Sequence, residues 1–416
     1  RMLLDMTIAN FKSVRDEQII SFEAVRDNRF SDSKVVSVTE KLKLIKSAAI
    51  IGPNGAGKSS FIRALEALKA IVTATEETSN PLAILSGTSF AYSEEKNQPA
   101  TIIIRCILGN DEESGEPIIG VYTLVADRIK IYEESLYHII GRSKRRMFER
   151  TLKEDELALD EEELTYTYRW GKHYRGDKKR LVGKVDEKHT FIQASAERGS
   201  ETSGLFYSWI VDRLHLLPMG VSNLSEKYLA QMIEEHPGWV SQLINFLWSV
   251  DITDIRDIRV KDGKVIFVHT NVTQHYASYF SLESLSLRRL CLIGVAFFES
   301  FTKGKTLIID DFGMLLHPNV LTHIVEIFEA NNDENGSQML VVDCNPSLLK
   351  PGLLRRDGVY FAQKDSESAT VYTSLANFRY SKANDRTQVQ YMNGAFGALP
   401  ILSEFSYDRE SAQDKE

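Results

Sequence analysis

A glycine-rich segment near the start of the chain has the residue types and spacing of a nucleotide phosphate-binding loop. Residues 52–59 match the pattern G-x-x-x-x-G-K-[ST] in full. Glycines let the backbone turn tightly and aim its N–H groups at phosphate oxygens. Lys58 is expected to reach the β- and γ-phosphates, and the Ser59 hydroxyl to bind Mg²⁺. The nine residues predicted to bind ATP are Gly52, Pro53, Asn54, Gly55, Ala56, Gly57, Lys58, Ser59 and Ser60.

A short apolar run that ends in two acidic residues supplies a candidate metal ligand. Thr306–Ile309 has the composition of a buried strand, and Asp310 and Asp311 follow it directly. Many strands end in this way, but downstream of a complete phosphate loop the pattern is specific. It predicts that Asp310 binds Mg²⁺ beside the loop. The next carboxylate, Asp311, is expected to polarise the attacking water, with Lys58 as a second catalytic residue.

The elements needed to position these residues can be predicted from hydrophobic periodicity. Residues 46–51 form a short apolar strand and residues 59–72 have helical spacing, so the glycine-rich loop lies in the strand–loop–helix context that it requires. Alternating residues 4–8 and 18–22 predict the first strands of an antiparallel hairpin or meander. Further strands are predicted at 101–108, 120–125, 305–310 and 339–342, and helices at 205–217, 225–250, 285–301 and 321–330.

The predicted nucleotide-binding fold is discontinuous along the chain, because its last strands follow the loop by more than 200 residues. We expect residues 1–95 and 275–416 to form one head. Residues 96–274 are expected to form an inserted α+β and helical module, partly packed on that head. Within this module, the basic run 144–150 and the acidic run 154–163 are expected to be solvated faces or loops.

Composition and charge narrow the class of protein. The 416 residues carry a formal charge of −8, so the whole surface is not a generic binder of polyanions, although a local basic patch is compatible with it. Cys106, Cys291 and Cys344 are far apart and fit neither a disulfide framework nor a zinc site. Without a long apolar run or a signal-peptide h-region, the sequence predicts a cytoplasmic protein with no membrane partner.

Several segments, taken together, resemble a known family. They are the phosphate loop and residues 10–13, 283–289, 310–318, 348–357 and 394–400. This set resembles the RecF/SMC-like ABC ATPases of bacterial anti-phage systems. The similarity is to the ATPase subunits of AbiL- and PARIS-type (AriA) abortive infection, which are relatives of the OLD ATPase domain. It covers residues 1–90 and 275–405 well and the middle loosely. It implies an α/β fold: an ABC-type P-loop ATPase head, with a mixed sheet and an antiparallel N-terminal portion, carrying a large α+β insertion.

The resemblance also implies that two heads sandwich ATP between them. The signature segment of this family falls on residues 283–289, so Ser284 would meet the γ-phosphate bound by the opposite subunit. A serine just before a helix also has an ordinary explanation, since it can cap the helix and have no other role. Both interpretations are open at the level of the sequence.

Three positions depart from the family's pattern, all on the side that would carry out hydrolysis. Ser286 stands where the family usually has glycine, and Asp311 is one methylene shorter than the usual glutamate. Cys344 stands where relatives often have a histidine that contacts the γ-phosphate, and Asp343 beside it would lie close to phosphate if it pointed inward. The residues predicted to bind ATP are complete. The sequence therefore predicts secure binding of ATP and slow hydrolysis.

Smaller motifs receive structural interpretations. Arg355, Arg356 and Asp357 follow the last predicted strand of the head and are expected to tie it together. Residues 394–400 are expected to form a tight turn packed on the head, and His317-Pro318 to form a turn rather than a metal site.

The resemblance implies an ATP-dependent sensor and scaffold of a phage-defence complex. Such a protein would form a homo-oligomer and restrain an effector encoded nearby, a TOPRIM- or RloB-type nuclease, until a viral protein triggers release. An alternative is a RecF-like DNA-repair ATPase acting directly on DNA, for which residues 144–146 and 178–180 are the candidate basic clusters. A transporter motor subunit is disfavoured by the altered signature and the strand-rich middle.

Overall fold

The computed structural model describes residues 1–26, 33–92, 98–153, 164–219, 224–331, 335–378 and 386–405. The strands, in chain order, are β1 (Leu3–Ala9), β2 (Gln18–Ser21), β3 (Val35–Ser37), β4 (Lys43–Ile45), β5 (Ser47–Ile51), β6 (Ala100–Asn110), β7 (Pro117–Ala126), β8 (Ile131–Ile140), β9 (Ser143–Leu152), β10 (Tyr166–Trp170), β11 (Leu214–Leu217), β12 (Ile255–Lys261), β13 (Lys264–Thr270), β14 (His275–Tyr279), β15 (Thr306–Ile309), β16 (Gln338–Asp343), β17 (Val359–Lys364) and β18 (Thr370–Ser374). The α-helices are α1 (Ser60–Thr73), α2 (Phe191–Glu197), α3 (Glu201–Ser208), α4 (Glu226–Glu235), α5 (Trp239–Ser249), α6 (Leu285–Lys303), α7 (Pro318–Asn331) and α8 (Thr387–Met392).

A mainly parallel sheet carries the predicted phosphate loop. Its strand order is β11-β15-β16-β5-β17-β18, and only β18 runs antiparallel to its neighbour. All residues of β5, β15 and β16 are buried, which explains why these segments read as continuous apolar runs. The strand order places the carboxyl ends of β5, β15 and β16 side by side, so the residues that follow them meet at one edge of the sheet.

An antiparallel sheet begins at the N-terminus. Its strand order is β10-β9-β8-β7-β6-β1-β2, and the predicted pairing of the first two strands is confirmed by the register Thr7↔Ile19. Strand β6 pairs directly with β1, as in Ile8↔Ile102. The segment 96–274 thus contributes five strands to this sheet and β11 to the parallel one. The division into a head and an inserted module stays a prediction, and its two parts share both large sheets.

Two hydrophobic clusters lie on the two sides of the parallel sheet. One joins α1 to the antiparallel sheet and includes Phe61, Leu65 and Leu68, apolar residues of the segment 59–72 that was predicted to be a helix. The other joins α4, α5, α6 and α7 and includes Ile293 and Phe328. The mixed sheet, the antiparallel N-terminal portion and the loop between β5 and α1 make up the predicted α/β fold.

Three predictions about the middle of the chain are wrong in part. The helix expected over 205–217 ends early, because residues 209–213 form a π-helical turn and the apolar run 214–217 joins β15 as strand β11. The helix expected over 225–250 is two helices, α4 and α5. They are separated at Pro237, which lacks the N–H that a helix interior needs.

The basic run 144–150 lies on strand β9, and Arg150 is fully buried 3.5 Å from Glu134. The acidic run 154–163 lies outside the described residues.

Two predictions about the C-terminal part are confirmed. Arg355 and Asp357 form a buried ion pair at 2.7 Å, and the Asp357 carboxylate accepts a hydrogen bond from the Val25 N–H at 2.8 Å, which ties the two ends of the chain together. The turn at 394–400 packs on the head, because Phe396 stacks on Phe361 with ring centroids 5.2 Å apart. His317 directly precedes α7, which begins at Pro318.

Candidate phosphate and metal site

The loop between β5 and α1 has the backbone that its glycines predict. Gly55 and Gly57 have φ angles of 77° and 90°, in the left-handed region that side chains rarely adopt. Gly52 is required for a different reason, because a Cβ there would lie 2.4 Å from the carbonyl oxygen of Ala362 on the neighbouring strand. The sequence thus forms a tight loop whose outer residues, Asn54 and Gly55, are exposed.

The lysine of the loop lies across it. Lys58 is only 9% exposed, and its Nζ donates a hydrogen bond to the Pro53 carbonyl at 2.8 Å. The Ala56 N–H donates to the same carbonyl at 3.3 Å. Ser60 was also predicted to bind ATP, but its hydroxyl faces the inner side of the loop, 3.0 Å from Ser13 Oγ. The ammonium group is therefore held within the curve of the loop, where phosphate oxygens would meet it.

The two predicted metal ligands lie together. Ser59 Oγ donates a hydrogen bond to Asp310 Oδ1 at 3.0 Å. Burial raises the pKa of Asp310, the hydrogen bond from Ser59 lowers it, the neighbouring Asp311 raises it, and the net shift is upward. A carboxylate held in this way favours the binding of a cation, which would offset the cost of its buried charge.

These residues fit a Mg²⁺ ion that is shared with a nucleotide. Within the described ranges, no group of three or more His, Cys, Asp and Glu side chains could hold a metal ion. Mg²⁺ keeps several waters and is commonly bound through one or two carboxylates together with substrate phosphates. One hydroxyl and one carboxylate, Ser59 and Asp310, are the protein ligands that such a site needs.

The predicted catalytic carboxylate sits on a strained turn. Asp311 is exposed and has a φ angle of 48°, and its N–H donates to Asp310 Oδ1 at 3.0 Å. A non-glycine residue with a left-handed backbone conformation costs about 1–3 kcal/mol of folding free energy, and the conformation persists only where its surroundings hold it. Leu315, four residues later, also has a positive φ angle of 65°. The segment 311–315 is thus kept in its conformation by neighbouring groups.

Arg289 of helix α6 is the main group that holds this segment, and sequence reasoning did not identify it. Its side chain is fully buried, and its guanidinium donates to the carbonyl oxygens of Asp311, Phe312 and Met219. Burial lowers the pKa of Arg289, while Asp311 and Asp343 raise it less. The spacing of Arg289 on α6 marks a buried position, and this was the only signal available in the sequence.

The signature segment contributes two further contacts. Ser284 is exposed and caps α6, since its hydroxyl accepts a hydrogen bond from the Leu287 N–H at 3.2 Å. Ser284 therefore caps the helix, and contact with a nucleotide of an opposite subunit stays a prediction. Ser286, one of the departures from the family's pattern, donates to the Leu315 carbonyl at 2.9 Å. Helix α6 thus holds both ends of segment 311–315.

Asp343 and Cys344 lie at the end of β16. Asp343 is buried and accepts hydrogen bonds from the Gly313 N–H and, at 2.8 Å, from the Asn345 N–H. Its carboxylate is therefore occupied by backbone groups and fixes Gly313 in the same segment. Cys344 is exposed as a free thiol.

Comparisons with known proteins give structural similarity only. No protein-family model matches the chain, and no curated protein matches it. Among solved structures, it is similar to the SMC head domain from Thermotoga maritima, with 12% identity, a TM-score of 0.41 and coverage of 90% of this chain and 99% of that one. It is also similar to an SmcHead bound to the C-winged helix domain of ScpA, with 10% identity, a TM-score of 0.44 and coverage of 90% and 97%. The strand order and the phosphate loop, rather than these similarities, carry the fold assignment.

None of the helices in the described part of the chain is long and apolar enough to span a membrane.

Proposed function

We propose that this protein binds ATP together with Mg²⁺ at residues 52–60 and Asp310. The observation that carries the proposal is the 3.0 Å contact between Ser59 Oγ and Asp310 Oδ1, because it joins the phosphate loop to the residue that directly follows β15. The lysine within the loop and the two left-handed glycines supply the remaining features of a phosphate site. Mg²⁺, when bound, would neutralise charge on the β- and γ-phosphates.

We propose that hydrolysis at this site is slow. Asp311 is the carboxylate next to the metal ligand, and its short side chain begins from a backbone fixed by Arg289. The carboxylate of Asp311 is one methylene shorter than that of a glutamate, so it reaches less far towards an attacking water, and small misplacements reduce rates steeply. ATP would then stay bound for a long time before it is hydrolysed, which suits a nucleotide that holds a complex together.

Self-association of two heads is part of the proposal. Ser284 is exposed at the start of α6, and the large apolar side chains of Leu282 and Leu315 beside the signature segment are 76% and 52% exposed. An apolar surface next to a predicted γ-phosphate contact supports closure of a second copy over this end of the helix. Sedimentation of the protein with ATP and with ADP tests it: ATP should favour the dimer, and an ATP-independent monomer would contradict it.

The biological role proposed is that of a sensor and scaffold in an anti-phage complex, with a TOPRIM-type nuclease as the restrained effector and a viral protein as the trigger. This role rests on the resemblance of the phosphate loop, the signature segment and residues 310–318 to ATPases of such systems. The test is copurification with the product of the neighbouring gene, together with phage challenge of cells carrying Lys58→Ala. Equal protection by the wild type and this variant would end the proposal.

Direct action on DNA is the second candidate. Lys144 and Arg146 are exposed at one end of β9, and Lys179 and Arg180 are exposed in another loop. Affinity for DNA that falls steeply with salt would favour this function over the scaffold. Absence of binding at low salt would remove it.

A further inference from the structure

Three hydroxyl-bearing residues lie behind the phosphate loop, and none of them belongs to the loop motif. Thr370 and Tyr372 lie on β18, and Ser13 lies in the connection between β1 and β2. Thr370 and Tyr372 are 2% and 7% exposed. The N–H of Thr370 donates to the Ser13 carbonyl at 2.7 Å, so the two segments are joined before either meets the loop.

Thr370 holds the carbonyl of Ala56. Its Oγ1 lies 2.8 Å from Ala56 O and 2.8 Å from Ser13 Oγ. Since a carbonyl oxygen only accepts, the Thr370 hydroxyl donates to Ala56 O. Ser13 Oγ also lies 3.0 Å from Ser60 Oγ. A chain of three hydroxyls thus ends on the loop backbone.

Tyr372 holds the next carbonyl. Its phenolic OH donates to Gly57 O at 2.7 Å, and its ring packs edge-to-face on Phe61 of α1 at 5.5 Å. Its own N–H donates to Gln18 Oε1 at 2.9 Å. The ring is therefore fixed on two sides, and its hydroxyl reaches the loop in one orientation.

Fixing these two carbonyls also fixes two N–H groups. In a trans peptide, the C=O of one residue and the N–H of the next point in opposite directions. A carbonyl of Ala56 drawn back to Thr370 therefore turns the Gly57 N–H forward, and a carbonyl of Gly57 drawn back to Tyr372 turns the Lys58 N–H forward. Neither N–H donates to an acceptor in the described part of the chain.

The close fit of the hydroxyls explains Gly57 further. A Cβ at this position would lie 2.1 Å from Thr370 Oγ1 and 2.3 Å from Ser13 Oγ. Glycine is thus needed there for two separate reasons, its φ angle of 90° and the space that these hydroxyls occupy.

We propose that Thr370, Tyr372 and Ser13 are positioning residues for phosphate binding, which orient the Gly57 and Lys58 N–H groups towards the nucleotide. The inference rests on the proposed binding of ATP at this loop and adds to it residues outside the loop, of which Thr370 and Tyr372 lie more than 300 positions away along the chain. The groups that they orient bind phosphate, so their loss should weaken ATP and ADP alike.

The test compares two buried tyrosines of one hairpin. Tyr372→Phe removes the hydroxyl that holds Gly57, whereas Tyr360→Phe removes one that donates to the Ser21 carbonyl at 3.0 Å, away from the loop. Affinities for ATP and ADP are measured by calorimetry on the full chain with Mg²⁺, alongside thermal unfolding. Tyr372→Phe should weaken both nucleotides by about tenfold, the effect of roughly one hydrogen bond that acts on a charged ligand. Tyr360→Phe should leave both affinities unchanged. Equal affinities in the two variants would overturn the inference.

Thr370 provides an independent arm with its own rescue. Thr370→Val keeps the shape and loses the hydroxyl, so it should weaken ATP and ADP, whereas Thr370→Ser should retain wild-type affinity. Weakening by the serine variant as severe as by valine would assign the residue a packing role and contradict the inference. A wild-type protein that binds neither nucleotide would reject the proposed function itself, whereas normal binding in all variants would reject the positioning role alone.

Discussion

The Ser59 hydroxyl donates a hydrogen bond to the Asp310 carboxylate at 3.0 Å, although the two residues are 251 positions apart in the chain. The contact exists because β5 and β15 both pair with β16 and end at the same edge of the sheet. It brings together the two protein ligands of the proposed Mg²⁺ site, and the loop lysine lies immediately before one of them.

Removing the Asp310 carboxylate should uncouple Mg²⁺ from nucleotide binding. Asp310→Asn leaves a neutral side chain of the same size, so Mg²⁺ should no longer strengthen ATP binding, while binding of ATP without metal should persist. The measurement is a titration of ATP with and without Mg²⁺. Asp311→Asn is the matched control and should keep the Mg²⁺ effect. The same Mg²⁺ effect in Asp310→Asn as in the wild type would contradict the assignment.

Lengthening the Asp311 side chain should increase hydrolysis. Asp311→Glu adds one methylene and lets the carboxylate reach further from a backbone that Arg289 fixes. Single-turnover hydrolysis should rise by about tenfold, given that a misplacement of ~1 Å can cost about 10²-fold. Asp311→Asn should lower the rate. A slower Asp311→Glu variant would show that the short carboxylate is already placed for catalysis.

Arg289 should be important for both stability and hydrolysis. Arg289→Met removes the guanidinium and leaves buried carbonyls without a donor, at a cost of about 3 kcal/mol in the free energy of unfolding. The strained turn at Asp311 would relax, so hydrolysis should fall more than ATP binding does. Arg288→Met is the control, because the neighbouring Arg288 is only partly buried, over the Phe280 ring at 5.7 Å. Denaturant unfolding and single-turnover assays measure both effects, and equal behaviour of the two variants would contradict this role.

Stability near the signature segment should depend on pH through His269. The imidazole lies between Asp254 at 2.8 Å and Glu283 at 2.9 Å. Burial lowers the pKa of His269, but hydrogen bonds to Asp254 and Glu283 raise it more, so the folded pKa exceeds the ordinary value of 6.5. The stabilisation is therefore fully present below pH 6.5 and lost as the pH rises through the folded pKa.

The measurement for His269 is denaturant unfolding of the wild type and His269→Gln over a range of pH. The difference in unfolding free energy should be largest in mildly acidic solution and should shrink above neutrality. A difference that does not vary with pH, or grows as the pH rises, would show that the protonated imidazole is not the stabilising form.

The parts of the site that could be predicted from sequence are those encoded by contiguous residues. The loop has a fixed spacing of glycines, lysine and serine. The unbroken apolar run of β15 predicts a buried strand that is followed directly by Asp310. The antiparallel pair β1 and β2 follows from alternation. Each of these signals is local, because a few adjacent residues determine both the conformation and the chemistry.

The supporting contacts could not be predicted, because they depend on how distant segments pack. Arg289 looks like any helical arginine until α6 is placed against segment 311–315, and Thr370 and Tyr372 look like ordinary strand residues. The change from helix to strand at Leu214 was missed because a short apolar run has no periodicity that separates the two. Tertiary partners decide such positions.

Binding of ATP to the full chain, measured by calorimetry for the wild type and Lys58→Ala, tests the central claim most directly. Lys261→Ala, at the exposed end of β12, is the control for loss of a surface lysine. The wild type and the control should bind Mg²⁺ and ATP with one site per chain, and Lys58→Ala should lose most of that affinity while its thermal unfolding is little changed. Equal affinity in Lys58→Ala and the wild type, or no binding by the wild type, would contradict the assignment of this loop as the ATP site.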